Sequence, residues 1–301
     1  MPDTSRRGAW VALGATILIW AYSWIVMKQV LAYAGPFHFA ALRYLLGAIL
    51  LFGALLLSRQ SLRPPPLMPT LLIGLCQTAA FQGLEQWALL GGGAGHVVLL
   101  AYTMPIWSVL LAWWLLGERP TGRHGCGVGL AAVGLVFIIE PWQNMRLPST
   151  LLAIAGGMTW AAGTVLSKRM FRQHAPSVLN LTAWQMLLGG LMLGLLTLAT
   201  PERSIEWSPA FLGNLAYSAV LASSTAWLLW SIVLQRLPIA VASVSSLGVP
   251  VGSMLLAWLI LHEHPSRMEW VGIVFVLCGL LTVSGIGRGA INRQGKAAGM
   301  D

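Results

Sequence analysis

Two residues of this sequence carry a charge where apolar residues surround them. Arg43 lies seven residues into the run 36–57, roughly 10 Å deep at 1.5 Å per helical residue. Glu85 lies five residues from the end of the run 68–90. In hydrocarbon either charge is expensive unless it is paired or wet. They can pair with each other, as a clamp or a gate. Arg43 can instead snorkel, and Glu85 can be a titrating site that couples protons. Glu85 also ends a polar stripe: Thr78, Gln82 and Glu85 are spaced 4 and 3 and share one helical face, with Gln77 and Phe81 beside it. Such a face lines a cavity or bonds a neighbouring helix, at about 0.6–2 kcal/mol per contact. For Phe81 and Gln82 the cavity is the expectation.

The remaining candidates are aromatic, hydroxylic or helix-breaking. Of fifteen tryptophans, Trp10, Trp87, Trp142, Trp207 and Trp270 stand near span ends and fit an interfacial belt. Trp20, Trp107, Trp160 and Trp227 stand near mid-span, where an indole N–H needs a partner. Helix packing and cavity lining both supply one; Trp20, Trp160 and Trp227 are taken as lining. Pro105 and Pro250 break helices at equivalent places and are candidate hinges or static kinks. Tyr102 and Ser246 precede them by three and four residues. Their hydroxyls can address a midplane substrate or satisfy a freed carbonyl. Ser223, Trp227 and Trp230 share a face that can form the opposing wall. No nucleophile–base–acid set or carboxylate pair stands out within the apolar runs, His262-Glu263-His264 is not H-E-x-x-H, and neither enzyme, metal nor cofactor is expected.

The elements that position these residues are membrane spans. The 301 residues are 57% apolar and 9% charged, against roughly 25% charged in a soluble domain. The +9 balance is spread over short loops, which suits a membrane rather than nucleic acid. Cys76, Cys126 and Cys278 fall inside apolar runs and read as small buried side chains. Ten stretches reach span length: 9–31, 36–57, 68–90, 96–116, 122–140, 149–168, 178–199, 210–234, 239–261 and 268–287. All must be helices, because lipid offers the backbone no partner.

The chain repeats itself. LLAWWLLGERP (110–120) and LLAWLILHEHP (255–265) agree at seven of eleven positions, and Gly127 and Gly134 answer Gly272 and Gly279. With a cytoplasmic N-terminus, thirteen Lys and Arg fall inside and five outside. Five spans per half invert the second half. WAYSWIVMK (20–28) resembles WAAGTVLSK (160–168), yet Lys28 falls outside and Lys168 inside. The expected organisation is a first five-helix repeat over 1–140, a linker over 141–148, an inverted repeat over 149–287 and a cytoplasmic basic tail over 288–301. Such repeats enclose a substrate site near the midplane.

Two inverted five-span halves, W-x(7)-K ending spans one and six, and P-x(14)-P running from Pro105 to Pro120 and from Pro250 to Pro265 resemble the drug/metabolite transporter superfamily, in its EamA group. Trp160 and the Tyr102-x-x-Pro105 motif resemble YddG-type amino-acid exporters within that group. The resemblance implies a central cavity lined mainly by spans three, four, eight and nine, with help from one and six. The expected protein is an all-α, multi-pass carrier of the bacterial inner membrane. It exports small metabolites, most readily amino acids, by alternating access. The alternative is a proton-coupled exporter of lipophilic cations, with Glu85 as the coupling acid. The expected partners are a small-molecule substrate and lipid, with no nucleic acid and no required oligomer.

Overall fold

The structure is a computed structural model that describes residues 3–91, 100–139, 147–261 and 266–284. Most of the linker, Glu140, Trp142, Arg146, His96, the stretch His262–Pro265 and the tail from Arg288 lie outside these residues, as does the side chain of Lys28. The described residues hold helices and no strand. The first half comprises α1 (Asp3–Val30), α2 (Pro36–Leu57), α3 (Leu67–Ile73), a π-helical segment (Gly74–Ala80), α4 (Phe81–Gly91), α5 (Met104–Leu116) and α6 (Gly122–Ile139). The second comprises α7 (Leu147–Gln173), α8 (Val178–Ala199), α9 (Pro209–Tyr217), a second π-helical segment (Ser218–Thr225), α10 (Ala226–Arg236), α11 (Ile239–Ser245), α12 (Gly248–Leu261) and α13 (Arg267–Ser284). Among the described residues, seven helical runs are long and apolar enough to cross a membrane, and three shorter helices are also apolar. Their outer faces are apolar too: Leu57 is 89% and Leu198 84% exposed, as lipid-facing residues are. Cys126 and Cys278 sit on such exposed faces, contrary to the expectation of buried thiols. Small, weakly polar side chains cost little there.

The two halves interlock. α1 packs on α10 and α12 of the second half, while α7 packs on α4 and α5 of the first. α2 pairs with α8, and α6 with α13. The last pair rests on four glycines. A Cβ on Gly134 would meet the Gly272 carbonyl at 2.6 Å, and one on Gly279 would meet the Gly127 carbonyl at 2.7 Å. The contact is reciprocal, as a twofold relation between halves requires. Backbones approach this closely only where no side chain intervenes. The i, i+4 glycine pairs behave less uniformly. Gly248 and Gly252 touch Ile17 and Ala21, and Gly190 touches Leu45, but Gly125, Gly129 and Gly194 have nothing within 4 Å of a would-be Cβ.

Two spans expected as continuous helices are interrupted on each side. Tyr102 and Thr103 form a turn before α5, and Ser246 and Leu247 form one between α11 and α12. Pro105 and Pro250 each fall in the first turn of the helix that follows, where a missing N–H does no harm. The π-helical segments interrupt the third span and its counterpart in the second half, and they too are equivalent in the repeat.

The glycine contact is testable in purified protein. Gly134→Val or Gly279→Val should each cost on the order of 2 kcal/mol through backbone overlap. That reads as a lowered melting temperature in detergent. Gly129→Val on the same helix should leave the melting temperature within about a degree, since surface changes usually stay within ±0.5 kcal/mol.

Candidate functional site

A cavity lies between the halves. α1 offers Trp20, Ser23, Trp24 and Met27, spaced as one helical face. α2 brings Arg43 and Tyr44; α4 brings Phe81, Gln82 and Glu85. Tyr102 and Met104 border it from the first broken span, Ser246 and Val249 from the second. Trp160 of α7 and Trp227 of α10 complete the wall. The cavity measures about 60 Å³, room for a few waters, and is open along part of its boundary. A whole amino acid fits inside it only if the wall moves.

One wall is a chain of indoles. Trp20 meets Trp227 edge-on at 5.7 Å between centroids and Trp230 at 5.8 Å; Trp160 meets Trp230 at 5.1 Å. Trp230 stands behind the lining and is 1% exposed. The indole N–H of Trp20 donates to the Ala222 carbonyl at 3.0 Å, within the second π-helical segment. A π-helical turn misaligns the i→i+4 ladder, and here a side chain takes a carbonyl it presents. Trp24 donates to the Tyr102 hydroxyl at 3.1 Å, which fixes that phenol across the turn.

The other wall is charged and polar. Arg43, Gln82 and Glu85 are 6%, 5% and 4% exposed. Arg43 Nη2 donates to the Tyr44 hydroxyl at 3.0 Å, and its guanidinium lies 4.7 Å from the Tyr44 ring centre. Its Nε and Nη1 have no protein partner, and neither do Oε1 of Gln82 and Oε1 of Glu85. Arg43 and Glu85 thus face one cavity with no hydrogen bond joining them among the described residues.

Ser223, expected in the site, and Thr78, expected only on the polar stripe, lie elsewhere for one reason. Thr78 packs its Cβ where a side chain on Gly189 of α8 would stand, at 2.4 Å. Ser223 does the same toward Gly47 of α2, at 3.1 Å, and is fully buried outside the cavity. Both belong to π-helical segments, whose wider turn shifts the helical phase, so spacing of 4 and 3 no longer means one face. Ser246 borders the cavity, but its hydroxyl donates to the Ser243 carbonyl at 2.7 Å. Pro105 faces a narrow gap beside α6 and not the cavity. Ser23, Trp24, Met27, Tyr44, Met104 and Val249 are lining residues that the sequence reading missed. The first three were detectable, because with Trp20 they keep i, i+3, i+4, i+7 spacing.

Gln77, beside the polar stripe, bonds neighbouring helices and does not line the cavity. Its amide joins three elements: Nε2 donates to Thr164 Oγ1 at 3.1 Å, and Oε1 accepts from Ser167 at 3.3 Å and from Gln185 at 3.2 Å. Gly163 of α7 makes room for it, since a Cβ there would meet the Gln77 Cβ at 2.5 Å.

The two ends of the bundle are closed by different charged groups. At one, Gly117 takes a left-handed φ of 67° after α5 and turns the chain so that Glu118 points inward. Glu118 pairs with Arg172 of α7 and accepts from the Ile239 N–H of α11 at 3.2 Å. Lys168 Nζ donates to the Leu234 and Leu237 carbonyls at 2.5 and 2.6 Å, capping the end of α10. At the other end Glu202 accepts from the Phe37 and His38 N–H groups at 2.8 and 2.9 Å, capping α2.

The geometry agrees with known proteins. The model of the "EamA-like transporter family" matches residues 6–140 and again 147–285, so the chain carries the unit twice. An "Uncharacterized transporter YoaV" of Bacillus subtilis is 26% identical over 87% of this chain and 92% of its own length. A "Probable amino-acid metabolite efflux pump" of Escherichia coli is 26% identical over 92% and 94%. A similarly named pump of Salmonella typhimurium is 27% identical over the same shares. A solved crystal structure superposes with a TM-score of 0.79 at 20% identity, covering 94% of this chain and 98% of that one, which establishes the fold alone. With two matched units over almost its whole length and apolar helices long enough to span a bilayer, the chain belongs to the EamA-like transporter family, a branch of the drug/metabolite transporter superfamily.

Proposed function

We propose that this transporter exports small metabolites, most readily amino acids, across the bacterial inner membrane by alternating access, with both termini in the cytoplasm. The observation that carries this reading is the cavity itself, with indoles on one side and buried Arg43, Gln82 and Glu85 on the other. An apolar side chain packs against Trp20, Trp160 and Trp227, and polar groups meet Gln82, Tyr102 and their neighbours. The relatives from Escherichia coli and Salmonella typhimurium, named for amino-acid metabolite efflux, support the substrate class. The excess of Lys and Arg on one set of loops supports the orientation.

Alternating access needs a barrier that breaks and a pivot. The Glu118 end supplies the barrier: opening it toward the cytoplasm parts Glu118 from Arg172 and from Ile239. The turns ahead of Pro105 and Pro250 supply the pivots, because there the helix breaks and restarts. A second reading has one observation behind it: Glu85 borders the cavity, as an acid shared by protons and a lipophilic cation must.

Counterflow in proteoliposomes separates the two. Vesicles loaded with an unlabelled amino acid should accumulate labelled amino acid, with or without an imposed pH gradient. Trp160→Ala should lose most of that exchange. If no amino acid exchanges and a proton gradient drives a lipophilic cation instead, the first reading is wrong; Glu85→Gln should then abolish the driven flux.

A further inference from the structure

We propose that Arg43 and Glu85 form a two-ended receptor for the dipolar head of an α-amino acid, the guanidinium taking the carboxylate and Glu85, with Gln82, taking the ammonium. This rests on the amino-acid reading above and assigns the atoms that enforce it. Three observations carry it. First, the charges are deeply buried and incompletely partnered. An unmet charge in a membrane interior is expensive, and Arg43 has two donor nitrogens without a partner. Second, no hydrogen bond or close ion pair joins the two charges among the described residues. Arg43 is instead held by Tyr44, through its hydroxyl and its ring face, which presets the guanidinium before any ligand arrives. Third, unmet donors and unmet acceptors belong to residues that line one cavity. Two donors on α2 face a cavity that also holds two acceptors, Gln82 Oε1 and Glu85 Oε1, one helical turn apart on α4.

A ligand neutral overall but charged at both ends brings each buried charge an opposite one, its carboxylate meeting one edge of the guanidinium. A simple amine would leave Arg43 unmet, and a simple carboxylate would leave Glu85 unmet. Rejection of such analogues follows from the buried polar atoms they fail to pair. The tryptophan wall across the cavity then receives the side chain, after the lining separates to admit it.

The test uses three ligands with one ring: phenylalanine, 2-phenylethylamine and 3-phenylpropanoate. In phenylalanine counterflow with the unmodified protein, each analogue should compete at least about tenfold more weakly than phenylalanine, the loss expected for one charge-assisted contact. Arg43→Gln should remove the discrimination against the amine, and Glu85→Gln that against the carboxylate. Either analogue competing within about twofold of phenylalanine overturns the proposal. So does an unchanged ranking in both variants, which would make the two charges a structural clamp. Should the variants fail to fold, the ranking on the unmodified protein decides alone. Melting temperatures of detergent-purified protein with each ligand give the same ranking without transport. Exchange of phenylalanine with no discrimination among the three sinks the receptor and spares the amino-acid reading. Discrimination in binding without exchange does the reverse.

Discussion

Lipid offers the backbone no hydrogen-bond partner, so a helix inside a membrane can be interrupted only where protein or a cavity covers the break. The rest of this structure depends on that constraint. The described helices are interrupted within their spans at Gly74–Ala80, at Tyr102–Thr103, at Ser218–Thr225 and at Ser246–Leu247. Each break is covered by polar or close-packed protein. Gln77 is tied to Thr164, Ser167 and Gln185; the Ala222 carbonyl is met by Trp20; the hydroxyls of Thr103 and Ser246 return to Leu100 and Ser243. Irregular backbone collects at the middle of the bundle, and so does the cavity.

The breaks also come in equivalent pairs. Thr78 in one π-helical segment sits on Gly189, and Ser223 in the other sits on Gly47. These residues correspond in the repeat, as do the glycines. The first helix of each half crosses to the other half, so neither half closes a cavity alone.

Much of this was legible in sequence because it follows from composition and period. Apolar run length gave the spans, and the duplicated LLAW segment gave the repeat. Trp20, Phe81, Gln82, Trp160 and Trp227, placed by mid-span position or helical face, all reach the cavity. What failed was arithmetic that assumes 3.6 residues per turn. Thr78 and Ser223 lie in π-helical turns, and no residue type announces such a turn. Gln77 was seen only as a neighbour of the stripe, because its partners lie on α7 and α8, far away in the chain. Arg43 and Glu85 were visible as costly charges, but their lack of a direct bond is a three-dimensional fact.

The central claim is that the cavity between the halves is where an amino acid sits during transport. Ser23 lines it, and its hydroxyl is spent on the Trp20 carbonyl of its own helix, so the position reports on the space without taking part in recognition. The direct measurement is alkylation of Ser23→Cys by a small, membrane-impermeant maleimide, in a chain whose Cys76, Cys126 and Cys278 are alanine. A saturating amino acid that the protein exchanges should slow the labelling several-fold. Labelling at an unchanged rate under active exchange would place the transport path elsewhere and contradict the account.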